Sequence, residues 1–319
     1  MNHARLQLLI GRVFYDVAAA QTAPLVSAGS EHGLYAALAA RGTGAAELAR
    51  LKGLDERFVR SWLLNQAAAG YISYDAGSDT YSLDAEQREL FANPDGDWSM
   101  VGAFDFAVAL AKRSAVDESR MPEIVARLDP GKPRRVVRWL QHLHQLLTSG
   151  ASVLEIGSGT GDVLLHLSEL FPQSTFLGLD SNPAATAVAE AERVRRGARA
   201  RFQSGDRVPD GQFDVVLTID TLHDIPGPER FASAVRDALR ADGYWIIAEM
   251  KAGNDVTENL NPVGRALAAV DALYCFPASG MARGALTGER GLRAILDSAG
   301  FNDVRIVDDP QRLVLEARR

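Results

Sequence analysis

The sequence predicts an α/β chain in which a doubly wound sheet fills the second half and a mainly helical region precedes it. Three observations carry this. From residue 151 onward, short apolar runs of strand length alternate with helical patterns, as expected of a largely parallel sheet with helices on both faces. The first run, Val153–Ile156, breaks into alternating glycines at 157, 159 and 161 and re-enters as a helical pattern at Val163. In the first half, two helical patterns separated by Gly53 are followed by two short alternating stretches around Ala76–Gly77. That is the order of a helix-turn-helix with a hairpin wing.

Composition sets the bounds. A chain of 319 residues suggests about two domains, and 47% hydrophobic residues are enough for a sizeable core. With 34 basic and 41 acidic residues the formal net charge is −7, which argues against a general nucleic-acid binder. The single cysteine, Cys275, excludes an internal disulfide and a cysteine-rich zinc site. It lies in the apolar run Leu273–Phe276 and reads as a buried thiol; no metal site is expected. The apolar Leu6–Ile10 is interrupted by Arg12 and Asp16, and no run of roughly 18 apolar residues occurs, so a soluble, cytoplasmic protein without membrane partners is expected.

Residues 4–40 read as helices. Leu6, Leu9, Ile10, Val13, Phe14 and Val17 recur at spacings of three and four, and Leu34 and Leu38 resume after the Gly29–Gly33 break. An apolar stripe of this width is expected to pack on another subunit or a second domain. Thr43 is expected to cap a helix through Leu51, Gly53 to turn the chain, and Asp55 to cap a second helix to about Ala69. Tyr71–Tyr74 and Thr80–Leu83 follow as strands. Asp55 and Glu56 beside Arg57 and Arg60, with Asp75 and Asp79 at the wing tip, leave too few net cations to neutralise phosphates. A structural and dimerising role fits this winged-helix unit better than DNA binding. Residues 96–147 read as a helical connector, with an apolar helix over Met100–Leu110, a break at 130–133 and an amphipathic helix from Val136 to Leu146. His142 and His144 sit two apart, about 200° around a helix, and are not expected to share an ion.

The second half supplies the site. Strands are expected at 153–156, 175–179, 200–202, 213–219, 244–248, 304–307 and 313–315, with helices over 162–171, 184–196, 229–239 and 288–298. In such a sheet ligands bind beyond the carboxyl ends of the strands. Gly157, Gly159 and Gly161 at a helix start offer bare, positively polarised backbone. The dinucleotide spacing G-x-G-x-x-G requires a glycine at position 162, which is Asp162, so a dehydrogenase is disfavoured. Asp180, about nineteen residues beyond Gly161 and at a strand end, is the place for a carboxylate accepting from ribose hydroxyls.

The run Glu155-Ile-Gly157-Ser158-Gly159-Thr-Gly161 resembles the first motif of the class I S-adenosylmethionine-dependent methyltransferases. Gly205-Asp206 after the third strand resembles that family's adenine-binding acid. Leu222-His223-Asp224, at the end of the fourth strand, resembles the L-H-D-W of small-molecule O-methyltransferases, although Ile225 replaces the tryptophan and Pro226-Gly-Pro228 replaces the usual acids. Almost the whole chain is further similar to bacterial small-molecule members with an N-terminal winged-helix region, through Asn259–Val263, Ala272–Phe276, Gly280-Met281 and Thr287–Glu289.

The resemblance implies a Rossmann-like, seven-stranded methyltransferase sheet at 148–319 with a lid at about 255–287, and a winged-helix dimerisation domain at 1–95. It implies S-adenosylmethionine as cofactor, S-adenosylhomocysteine as product, a small-molecule acceptor and a homodimer formed through the N-terminal helices. Cofactor contacts are expected at Glu155, Gly157, Ser158, Gly159, Gly161, Asp180, Ser181, Gly205, Asp206, Arg207 and Asp220. His223 is expected as the base that deprotonates the acceptor, with Tyr15, Phe104, Phe106, Asp224, Tyr274 and Met281 lining the substrate pocket. Open alternatives are that His223 only packs beside the cofactor while Asp224 caps the next helix, that the acceptor atom is nitrogen or carbon, and that the chain is a non-catalytic cofactor-binding regulator.

Overall fold

In the computed structural model, which describes residues 1–112, 120–275 and 284–319, the chain divides into two units, Met1–Lys132 and Pro133–Arg319. No described helix is long and apolar enough to cross a membrane.

The first unit is mainly helical. Helix α1 (His3–Glu31) runs unbroken through Pro24, and Asn2 caps it by accepting from Arg5 N at 3.1 Å. Its end is buried at Thr22, Val26 and Gly29. Its beginning leaves Leu8, Leu9, Ile10, Val13, Phe14, Tyr15 and Val17 exposed. Helices α2 (Leu34–Ala40), α3 (Ala45–Lys52) and α4 (Glu56–Ala68) follow, then the antiparallel pair β1 (Ser73–Asp75) and β2 (Thr80–Ser82), then α5 (Ala85–Phe91), α6 (Val101–Ala111) and α7 (Met121–Ala126). The expected cap at Asp55 is present, its carboxylate accepting from Arg57 N at 2.8 Å and Phe58 N at 3.2 Å.

Thr43 does not cap α3; the N-cap is Gly44. Thr43 is drawn instead into a bridge with the wing, where its N–H donates to the Tyr81 carbonyl at 3.0 Å and its carbonyl accepts from Tyr81 N at 2.9 Å. Two backbone hydrogen bonds across the wing replace one side-chain cap. The core of the unit gathers Val26, Leu34, Leu38, Leu48, Val59, Trp62, Leu63, Ile72 and Phe91. Within it Tyr35 donates to Gln66 Oε1 at 2.6 Å, so neither buried polar group is left unpaired.

The second unit is built on a seven-stranded sheet. Helix α8 (Lys132–Trp139) stops short of the expected single helix to Leu146: a 3-10 turn, Gln141–Leu143, intervenes before α9 (His144–Gly150). The turn places His142 Nε2 at 2.9 Å from Glu316 and its ring edge-on to Tyr244, while His144 packs edge-on to Phe171. These tertiary pairings override the helical pattern.

The elements then follow as β3 (Ser152–Ile156), α10 (Asp162–Leu170), β4 (Thr175–Asp180), α11 (Pro183–Arg196), β5 (Arg201–Ser204), β6 (Phe213–Ile219), α12 (Pro228–Ala238), β7 (Leu239–Met250), α13 (Pro262–Val270), α14 (Glu289–Ser298), β8 (Asp303–Val307) and β9 (Arg312–Arg318). The strand order is β5-β4-β3-β6-β7-β9-β8, parallel from β5 to β7, with β9 antiparallel to both β7 and β8. This is the doubly wound, Rossmann-like sheet that the sequence predicts.

Because side chains alternate along a strand, Val153 joins a core with Leu147, Val163, Phe171 and Ile246. Leu154 joins a second core with Val216, Phe231, Val235, Trp245 and Ile295. The chain order reverses at β3, whose two neighbours are β4 and β6. The crevice of such a sheet opens there, at the carboxyl ends.

Candidate active site

The glycine stretch leaves β3 and turns back under β4. Gly157 N and Ser158 N both donate to the Leu179 carbonyl, at 2.8 and 2.9 Å. Gly157 adopts φ 75°, and a Cβ there would lie 2.0 Å from Thr221 Oγ1. Only glycine meets both conditions. Gly161, at φ 82°, is the N-cap of α10. Gly159 faces open space, with no atom within 4 Å of where a Cβ would stand. Its N–H donates to Asp180 Oδ2 at 2.8 Å, and Asp180 Oδ1 accepts from Asn182 N at 2.8 Å. Asp180 therefore ties the glycine loop to the end of β4, and each of its oxygens keeps a further acceptor direction.

Gly205 N donates to the Asp180 carbonyl at 2.8 Å, which sets the end of β5 beside that of β4. Asp206, Arg207 and Ser181 are exposed, whereas Glu155 and Ser158 are buried. Asp220, just past β6, holds φ 51°, a conformation strained for a residue other than glycine. Its N–H donates to the Ala248 carbonyl at 2.8 Å, and its carboxylate is ion-paired with Arg312 of β9. Strain held in this way clusters at functional sites.

His223 lies in a 3-10 turn, Leu222–Asp224, at the mouth of β6, and is 5% exposed. Its Nδ1 is 2.6 Å from Glu249 Oε2 on β7. A carboxylate can only accept, so Nδ1 carries the proton and Nε2 is the site of proton exchange. Glu249 Oε1 accepts from Leu222 N at 2.7 Å and Thr221 N at 3.2 Å, so the same carboxylate holds the turn as well as the ring. On the other side, Nε2 lies 3.4 Å from Asp224 Oδ2 and 3.7 Å from Cys275 Sγ. Burial alone would push the imidazole down. The Glu249 charge, hydrogen bonds with Cys275 and Glu249, and the Asp224 charge outweigh it and hold His223 well above its ordinary value. Burial, aided by the Glu249 charge and opposed by that of His223, raises Asp224.

Asp224 does not cap α12, whose N-cap is Gly227. Cys275 is buried as expected, but at the end of a π-helical turn, Asp271–Cys275, that presents it to His223. The chain returns to the same place at Gly284, whose N–H donates to the His223 carbonyl at 2.9 Å. Tyr274 is half-buried on that turn, and Met281 lies outside the described residues. In the first unit, Tyr15 is exposed on α1, Phe104 packs edge-on to Tyr71, and Phe106 is buried. Sequence reasoning missed Glu249. Its one signal is a carboxylate inside the otherwise apolar run Trp245–Met250, where a buried strand carries a charge only for a partner.

The family profile described as "Methyltransferase domain" matches residues 129–306, and that described as "Rv2258c-like winged HTH domain" matches residues 20–92. The trans-aconitate 2-methyltransferase of Deinococcus radiodurans is 34% identical over 98 residues, 30% of this chain and 37% of that protein. The fatty-acid O-methyltransferase of Mycolicibacterium smegmatis is 31% identical over 113 residues, 34% of this chain and 40% of that protein. The chain thus spans only about two fifths of the curated relatives it matches. Solved structures share the fold over nearly the full length. Human N-acetylserotonin methyltransferase in complex with S-adenosylmethionine has a TM-score of 0.62 at 16% identity, covering 100% of this chain and 98% of that one. Mitomycin 7-O-methyltransferase has a TM-score of 0.64 at 18% identity, covering 100% of both chains. With a profile that matches more than half its length laid over this sheet, the chain belongs to the methyltransferase-domain family.

Proposed function

We propose that this chain transfers a methyl group from S-adenosylmethionine to the hydroxyl of a small molecule, with His223 as the base. The observation that carries the reading is the His223–Glu249 pair at 2.6 Å, on a turn whose Thr221 side chain touches the glycine loop at Gly157. The loop fits the cofactor: Gly159 opens onto free space between the α10 N-terminus and the Asp180 carboxylate. Glu155, Gly157, Ser158, Gly159 and Gly161 would hold its amino-acid part, Asp180 and Ser181 the ribose, and Gly205, Asp206 and Arg207 the adenine, with Asp220 beside the turn. When bound, S-adenosylmethionine supplies an electrophilic methyl group and leaves as S-adenosylhomocysteine.

The protein's own share is alignment and proton transfer. Glu249 fixes the ring with Nδ1–H toward itself, and Nε2 takes the hydroxyl proton as the oxygen becomes a nucleophile. Glu249 then stabilises the imidazolium, the role of the acid in a nucleophile–histidine–acid triad. The segment 255–287 acts as a lid. Of its described residues, Cys275 and Gly284 lie against His223, and they must give way before an acceptor reaches Nε2. Asp224 and Tyr274 would line the acceptor side; Met281, also expected there, lies outside the described residues. Residues 1–95 would serve dimerisation, since the exposed stripe of α1 forms an apolar groove of about 310 Å³ lined by Leu6, Leu9, Ile10, Val13, Phe14 and Val17.

A panel of phenols, alcohols and carboxylic acids, assayed with methyl-labelled S-adenosylmethionine, tests the chemistry. For any acceptor found, His223→Ala is expected to lower kcat by roughly 10²–10⁴-fold. Undiminished turnover in that variant would point instead to an N- or C-methyltransferase.

A further inference from the structure

The face of His223 turned away from Glu249 carries a donor set that base catalysis does not require. One ligand atom each of His223, Asp224 and Cys275 lies within 4.8 Å of the others, the one such group containing all three ligand chemistries among the described residues. The spacing is specific. In a tetrahedral zinc site, with bonds of about 2.0–2.1 Å to nitrogen, 2.0–2.2 Å to oxygen and 2.3 Å to sulfur, neighbouring nitrogen and oxygen ligands stand about 3.4 Å apart and nitrogen and sulfur about 3.6 Å. Here Nε2 is 3.4 Å from Asp224 Oδ2 and 3.7 Å from Cys275 Sγ.

Two further features fit a metal. The Nδ1 of His223 is held by the Glu249 carboxylate at 2.6 Å, itself anchored by the turn's backbone N–H groups. Metal-bound histidines are usually oriented by such an outer carboxylate. The buried Oδ1 of Asp224 has no hydrogen-bond partner among the described residues, an exception that calls for an explanation in a buried polar group. The imidazole, carboxylate and thiolate set favours a borderline-soft cation over magnesium or calcium.

We propose that His223 Nε2, Asp224 and Cys275 Sγ form a three-ligand site for a zinc-class divalent cation, with the fourth position open. On binding, the Cys275 S–H proton and any proton on Nε2 pass to solvent, and three coordinate bonds form to the ion. The site itself stands on this geometry. Its consequence rests on the proposed function: the ion takes the lone pair that the acceptor's proton needs, so the loaded protein has no base at Nε2.

The experiment is an anaerobic titration of EDTA-treated, reduced full-length protein with Co²⁺, followed by displacement with Zn²⁺. One equivalent is expected to give tetrahedral visible bands and a near-ultraviolet thiolate-to-cobalt band, both erased by one equivalent of Zn²⁺. Cys275→Ala is expected to lose the thiolate band, and Glu249→Gln to bind Zn²⁺ about 10–100-fold more weakly. S-adenosylhomocysteine calorimetry on the same samples reports folding of the variants and tests the cofactor reading separately. Saturating Co²⁺ without a thiolate band, or equal Zn²⁺ affinity in folded Cys275→Ala, would overturn the site while leaving the cofactor reading standing. Metal binding without S-adenosylhomocysteine binding would do the reverse.

Discussion

Glu249 accepts from the ring of His223 and from the backbone of the turn that carries it, so one carboxylate sets both the tautomer and the position of the imidazole. With Glu249 neutralised, its charge no longer raises His223, and burial, which lowers it, is opposed chiefly by Cys275 and Asp224. In the proposed reaction, turnover requires a deprotonated Nε2. In metal-stripped wild type, kcat/KM should therefore rise with pH through a midpoint above the ordinary histidine value of about 6.5. In Glu249→Gln the midpoint should move to lower pH and kcat should fall. An unchanged midpoint would remove Glu249 as a positioning residue.

Gly157→Ala tests the other half of the site. A left-handed φ costs a non-glycine residue roughly 1–2 kcal/mol, and the added Cβ would meet Thr221 Oγ1 at 2.0 Å. Thermal melting should show a loss of several degrees, and S-adenosylhomocysteine affinity should fall with it; a variant as stable and as tight-binding as wild type would refute the tight approach. At this scale the glycines and Asp180 are legible from their spacing beyond apolar runs, and His223 from the resemblance carried by Leu222-His223-Asp224. Glu249 and Cys275 stand 26 and 52 residues from His223, and only tertiary structure brings them to it.

Among the elements, β6 and β7 are locked by a hydrogen bond inside the core as well as by their ladder. Trp245 Nε1 donates to Thr218 Oγ1 at 3.0 Å, and both residues are fully buried. Thr218→Val keeps the shape and orphans the indole donor, a loss of about 1–3 kcal/mol in urea unfolding; a change near zero would show that the pair contributes nothing net. All seven strands follow from apolar runs between glycine and acidic breaks, whereas their order in the sheet comes from tertiary structure. Two local readings fail for the same physical reason. The helix expected to Leu146 breaks at Gln141–Leu143, where His142 meets Glu316 and Tyr244. Thr43 leaves its cap for the backbone of Tyr81. In each case a partner distant in sequence outbids a local preference. The charge reading of the winged unit has structural support: Arg60 is paired with Glu56 and Arg41 with Glu47, which offsets cations a DNA reader would present.

At the scale of the whole molecule, the exposed face of α1 bears on assembly. Leu8, Phe14 and Tyr15 are each more than 70% exposed, and an apolar stripe of this kind marks an interaction surface. A second copy of the chain is the expected occupant. Sedimentation velocity should find wild type as a dimer and Phe14→Glu as a folded monomer; a monomeric wild type at tens of micromolar would contradict the dimer. The central claim concerns the cofactor, and calorimetry tests it most directly. Titration of purified protein with S-adenosylhomocysteine is predicted to show saturable binding at one site per chain, and titration with NADH none. Saturable NADH binding with no heat from S-adenosylhomocysteine would contradict the account.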